Sequence, residues 1–149
     1  LIAQKDDALF VEMPDDPFLF LALPGDRAEE GTFNKTLSAQ KTQLKELQKA
    51  YPEYCAMNIP DYLVLQAFET RAKLTVARTT GQQNFQVRPL DYWDGSGKSS
   101  LTRFLDLPVS DDFVPDGFFD PDGSRLDLDR GYVGAYAECG FRLSRRVTL

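Results

Sequence analysis

Apolar positions recur along this chain with two different periods, and each change of period marks a boundary between elements. Residues 8–13 (ALFVEM) and 18–23 (FLFLAL) are short runs of strand formers separated by Pro14-Asp15-Asp16-Pro17, a spacing that predicts a β-hairpin. Residues 24–31 (PGDRAEEG) carry turn formers at both ends and charges between them, the composition of an exposed connection. From Asn34 to about Tyr51 the period becomes helical. Phe33, Leu37, Leu44, Leu47 and Tyr51 recur at steps of three, four and seven, with polar residues between them. Asn34 is the expected cap, because its side-chain oxygen can accept an orphaned first-turn amide, and Pro52 closes the other end. The leucine face of this helix should lie on a sheet.

The next stretch supports two readings. Asn58-Ile59-Pro60-Asp61 suggests a turn, and residues 62–79 fit either a helix beginning at Pro60 or a long strand. Over its second half, Phe68, Thr70, Ala72, Leu74 and Val76 alternate with Glu69, Arg71 and Lys73, which is the period of a half-buried strand. Thr80-Gly81-Gln82 would turn the chain, and Phe85 and Val87 would return it up to Pro89, forming a second hairpin. Residues 101–107, 113–119, 125–128 and 136–149 are further strand candidates divided by Gly, Pro and Asp. The expected fold is therefore α+β: mostly antiparallel β in a curved or barrel-like sheet, with one principal amphipathic helix packed on it. Too few helical segments remain for the crossovers of a doubly wound parallel sheet. No repeat or linker divides the chain, so residues 1–149 are expected to form a single globular domain.

Composition narrows the function classes. An apolar fraction of 42 % with eleven Phe, six Tyr and one Trp supports a real core. The longest apolar run, residues 18–23, is far short of the ~20 residues that cross a bilayer as a helix. The formal charge of −6, from 23 acidic and 17 basic residues, repels phosphate backbones, so no nucleic-acid partner is expected. The chain opens on Leu1, as a processed product or a boundary within a longer chain would. Residues 1–4 are compatible with the remnant of a removed presequence, and the compartment stays open.

The chain has no histidine, which removes every triad built on imidazole and weighs against an enzyme. Cys55 and Cys139 are too few for a four-ligand zinc site, and either form one disulfide or stay as two buried thiols. Gly97-Lys98-Ser99 matches the end of a phosphate-binding loop. However, Tyr92 stands where the first glycine belongs and a strand rather than a helix should follow, so residues 93–100 read as a loop between strands. No cofactor is expected, with one exception. The segment from Asp111 to Asp129 holds seven aspartates, and Asp120, Asp122, Asp127 and Asp129 supply the clustered oxygens of an irregular calcium site. An EF-hand is excluded, because Gly123 at the glycine position puts Phe118 at the first ligand position. The simpler reading is a β-turn at Asp120-Pro121-Asp122-Gly123 with solvated carboxylates around it.

Lys41, Lys45 and Lys49 stand at four-residue steps on the predicted helix, a basic stripe on an acidic chain and a candidate contact for an acidic partner surface. Tyr92 and Trp93 are candidate partner anchors or lids on the sheet. Arg142, Arg145 and Arg146 make a second basic cluster. Asn34-Lys35-Thr36 fits a glycosylation acceptor pattern. The expected function is a non-catalytic structural or interaction protein, a subunit or accessory component of a larger assembly. The alternatives are a binder of a small apolar ligand enclosed by a curved sheet, and a metal-dependent enzyme using the Asp-rich segment.

Overall fold

A computed structural model of the protein describes residues 19–22, 27–81, 90–93, 100–107, 110–122 and 125–147. Residues 1–4, the expected strand at 8–13, the expected return strand around Phe85 and Val87, and residues 94–99 of the expected loop lie outside these residues. The chain forms, in order, β1 (Leu19–Ala22), α1 (Leu37–Ala50), β2 (Cys55–Ala56), α2 (Ile59–Thr79), β3 (Leu101–Arg103), β4 (Phe113–Asp120), β5 (Arg125–Tyr132), β6 (Cys139–Gly140) and β7 (Leu143–Val147).

The fold is α+β, and its strands form two open sheets. One has the order β1-β7-β2, all antiparallel; the other has the order β5-β4-β3-β6, in which only the β3–β6 pair is parallel. Its long hairpin β4–β5 runs in register from Phe113↔Tyr132 to Asp120↔Arg125. Only Phe141 and Arg142 separate β6 from β7, so one short segment passes from the edge of one sheet to the centre of the other. Both joining residues are buried. Their main chain stays paired, with the Glu29 amide donating to the Phe141 carbonyl at 3.0 Å and the Met57 amide to the Arg142 carbonyl at 2.8 Å. Unpaired main-chain groups at such a buried junction would be costly.

α1 starts later than the sequence pattern suggests. Its cap is Thr36, in an extended conformation, whose hydroxyl accepts from the Ala39 amide at 3.2 Å. Asn34 instead adopts a left-handed φ of 54°, a region Asn tolerates better than most residues, and its amide bonds to the Tyr136 carbonyl. Pro52 follows the end of the helix as expected. Leu44 is buried, and Leu37 and Leu47 lie half-buried beside it, against Ala56, Leu105, Phe141 and Leu143.

α2 overturns the strand reading of Phe68 to Val76 and adds a second helix where one was expected. Three local causes favour it. Asn58 caps it by accepting from the Asp61 amide at 2.9 Å, Pro60 occupies the first turn where its missing N–H costs nothing, and Asp61 complements the positive end of the helix dipole. Ile59, Asp61, Tyr62 and Gln66 are buried and anchor this first half. Once nucleated, the helix extends through good helix formers to Gly81, whose positive φ of 70° ends it. Beyond Gln66 the described side chains reach solvent, and Phe68 is 67 % exposed. The alternation from 68 to 76 thus arose without any sheet to face.

The second core cluster joins Met57, Ile59 and Tyr62 to Phe104 and Leu128. Tyr62 meets the Phe104 ring edge-on at 5.3 Å. β4 can approach this pair because residue 117 is glycine: a Cβ there would sit 2.7 Å from the Tyr62 ring.

Candidate interaction surface

Two buried arginines hold the elements that shape this surface. Arg142, read from the sequence only as part of a basic cluster, is 1 % exposed. Its guanidinium donates to both carboxylate oxygens of Asp91, from Nη2 at 2.9 Å and from Nε at 3.2 Å. The same carboxylate accepts from the hydroxyls of Ser100 and Thr102, each at 2.6 Å. Burial by itself opposes the charged form of Arg142, but the Asp91 carboxylate outweighs it and raises the arginine pKa above its ordinary value. Tyr62 nearby is raised well above the usual phenol range, first by burial and then by the Asp91 charge. Gln66 completes the frame by bonding both main-chain groups of Leu90, donating to its carbonyl at 2.7 Å and accepting from its amide at 3.1 Å.

Arg103, fully buried on β3, is a clasp of another kind. Its guanidinium donates to the carbonyls of Lys35, Tyr132 and Gly134 and to the side-chain oxygen of Gln40. Gln40, also buried, donates in turn to the carbonyls of Thr32 and Cys139. Together they tie the N-terminal end of α1 to β3 and to the segment after β5, so the outer face of α1 is held on a rigid base. Asp116 lies opposite Arg103 on β4 and opposite Asp129 on β5. Its carboxyl is pushed up to about 7, first by burial and then by the Asp129 charge, with Arg103 pulling the other way.

On the outer face of α1, Lys41, Lys45 and Lys49 are all exposed, as their spacing implies. Lys49 is paired with Glu46 at 2.7 Å. Lys41 and Lys45 form no ion pair among the described residues. Each of these two lysines lines two surface grooves. A groove of about 460 Å³ lies between α1 and the chain after β3, with Leu44, Leu105, Gln48, Cys55 and Asp106 in its walls. A wider one of about 680 Å³ is bounded by Leu37, Ser38 and Thr42 of α1 and, across from it, by Asp111, Val133 and Gly134. Lys41 and Lys45 therefore form a basic edge shared by the two grooves.

The other sequence candidates lie elsewhere. Tyr92 stacks on Phe119 at 5.9 Å and Trp93 meets Phe118 edge-on at 5.2 Å, so both cover β4, and neither lines the grooves. Asp120 opens the expected turn, its carboxylate accepting from the Asp122 amide at 3.0 Å. Arg125 bridges Asp120 and Asp127, and Asp129 lies on the same hairpin across from Asp116. No group of three or more His, Cys, Asp or Glu among the described residues is placed to hold a metal ion. Cys55 is exposed and Cys139 buried, and both are free thiols. Burial pushes the Cys139 thiol up to about 11, so it is inert as a nucleophile near neutrality.

Sequence reasoning missed Asp91, Arg103 and Gln40, and read Arg142 and Asp116 only as members of a basic and an acidic cluster. A faint signal existed for Arg103, the single cation within the strand candidate 101–107. The grooves themselves leave no local trace, because their walls come from segments far apart in the chain. No described helix is long and apolar enough to cross a membrane. The chain matches no family model, no curated protein and no solved structure, so its function has to be argued from this surface.

Proposed function

We propose that this chain is a non-catalytic interaction protein, a subunit or accessory component of a larger assembly, and that it docks its partner across the outer face of α1. One observation carries the reading: on a chain of net charge −6, two lysines without ion pairs among the described residues line two grooves with partly apolar walls. Exposed lysines not held in an ion pair keep their charge available to a partner, and opposite charge across an interface speeds encounter and sets register. Apolar side chains in adjoining grooves supply the desolvated contact area that charge alone does not.

The test is native mass spectrometry of the protein isolated from its source, as wild type and as the double variant K41E/K45E. The expected result is a larger complex for the wild type and free monomer for the variant. A wild-type monomer carrying a stoichiometric extra mass would favour the small-ligand alternative, and a complex that survives the charge reversal would remove α1 as the docking face.

A further inference from the structure

We propose that Arg103 and Asp116 form a proton-operated clasp beneath α1: when Asp116 loses its proton, its carboxylate turns from β5 toward Arg103 Nε, and the guanidinium slackens its hold on the helix. This adds regulation to the docking face, and rests on the docking reading for its use.

The closed clasp is defined by geometry. Arg103 and Asp116 are register partners on β3 and β4, so their side chains share one face of the sheet, and both are buried. The four bonds that Arg103 makes leave from its terminal nitrogens, Nη1 to Lys35 and Gln40, Nη2 to Tyr132 and Gly134. Its Nε is buried with no oxygen acceptor, a costly state for a donor on a charged group. The Asp116 carboxylate lies on the side away from β3. It packs over Gly131 of β5, where a Cβ would overlap it. The Leu37 amide donates to the Val133 carbonyl at 2.8 Å, so the start of α1 is fastened to the segment that Arg103 also holds.

The charged and titratable groups acting on Asp116 are Arg103 on β3 and Asp129 on β5, with the Cys139 thiol of β6 beside them; α1 contributes the uncharged Gln40. Cys139 keeps its proton near neutrality, because burial pushes it up to about 11. A protonated Asp116 sits beside Asp129 without repulsion. Once ionised, it is repelled from β5 and drawn to the one Arg103 donor left unmet. The guanidinium is a rigid plane, so a turn of Nε toward β4 draws Nη1 and Nη2 off the carbonyls that fasten α1.

The test follows the native ¹⁵N-labelled full chain by NMR from pH 5.5 to 8.5, as wild type, Asp116→Asn and Asp129→Asn. No histidine is present to titrate in this range. In the wild type the Arg103 Nε–H resonance should move downfield as it gains an acceptor. The amides of Thr36, Val133 and Ala135, which follow the three acceptor carbonyls, should shift with the same midpoint near pH 7. Asp116→Asn should abolish this titration, and Asp129→Asn should move its midpoint to lower pH. An Nε–H resonance that does not titrate would overturn the clasp. So would a titration confined to β4 and β5 with Thr36 and Ala135 unmoved, or one that persists in Asp116→Asn. Native mass spectrometry should then show less complex at pH 8.5 than at pH 6 for the wild type, and equal amounts for Asp116→Asn. If K41E/K45E keeps its native assembly, the docking reading fails, and the NMR titration still decides the clasp.

Discussion

Arg142 grips Asp91 through two nitrogens, Nη2 to Oδ1 at 2.9 Å and Nε to Oδ2 at 3.2 Å, with both side chains removed from water. The two residues are 51 positions apart. Ser100 and Thr102 occupy further positions on the carboxylate, so the charge is buried but fully coordinated. Removing one partner would leave the other as an uncompensated interior charge. Asp91→Ala is expected to cost about 3–5 kcal/mol of stability, the usual range for a broken buried pair, measured by urea denaturation. A loss below about 1 kcal/mol would mean that water reaches Arg142.

Asp116 carries a pH dependence of opposite sign to that of an ordinary carboxylate. Its folded-state pKa of about 7 lies above the ordinary aspartate value of 3.8, so between these pH values the folded chain holds a proton that the unfolded chain has lost. Its contribution to stability is complete below about pH 4 and is lost as pH rises through 7. Asp116→Asn, which cannot ionise, is therefore expected to be more stable than the wild type at pH 8.5, by up to ~4 kcal/mol, and to approach it near pH 4. Asp129→Asn should lower the midpoint by removing the facing charge. Parallel stability profiles of wild type and Asp116→Asn from pH 5 to 8.5 would contradict this account.

Gly117 is required by a neighbour rather than by its own backbone. A methyl group there would lie 2.7 Å from the Tyr62 ring and 3.1 Å from Phe104. Gly117→Ala is expected to destabilise by about 1–3 kcal/mol, the usual range for overpacking. Thermal unfolding checks it, and an unchanged midpoint would show that β4 can move away from α2.

Thr36 and Asn34 can be told apart by substitution. Thr36→Ala removes the cap of α1 and is expected to cost about 1 kcal/mol. Asn34→Gly should be neutral or slightly stabilising, because φ at 54° suits glycine. Equal losses from both substitutions would contradict the assignment of the cap to Thr36.

The amphipathic period of α1, its stop before Pro52, the β4–β5 hairpin with its Asp-Pro turn, the antiparallel α+β class and the exposed lysine row were all legible in the amino-acid pattern. Each depends on residues a few positions apart, and helical or strand periodicity records which face meets the core. α2 marks the limit of that logic. Over 68–76 a period-two alternation pointed to a strand, yet the capped and buried first half at Asn58 to Gln66 nucleated a helix that ran on through it. Propensity and nucleation prevailed because that stretch buries little and so imposes no period of its own.

The tertiary structure alone decided which charges are interior and where the grooves lie. Arg142 and Arg145 look alike in sequence, but the passage from β6 to β7 carries Arg142 into the junction between the sheets, where Asp91 meets it, while Arg145 on β7 is exposed. Arg103 likewise finds acceptors 29 to 68 residues away, and Asp106 and Asp111 face α1 only because the β3–β4 connection passes beside it. A carboxylate or guanidinium carries the same label whether solvated or buried. Burial and partner are properties of the closed chain, and no local pattern encodes them.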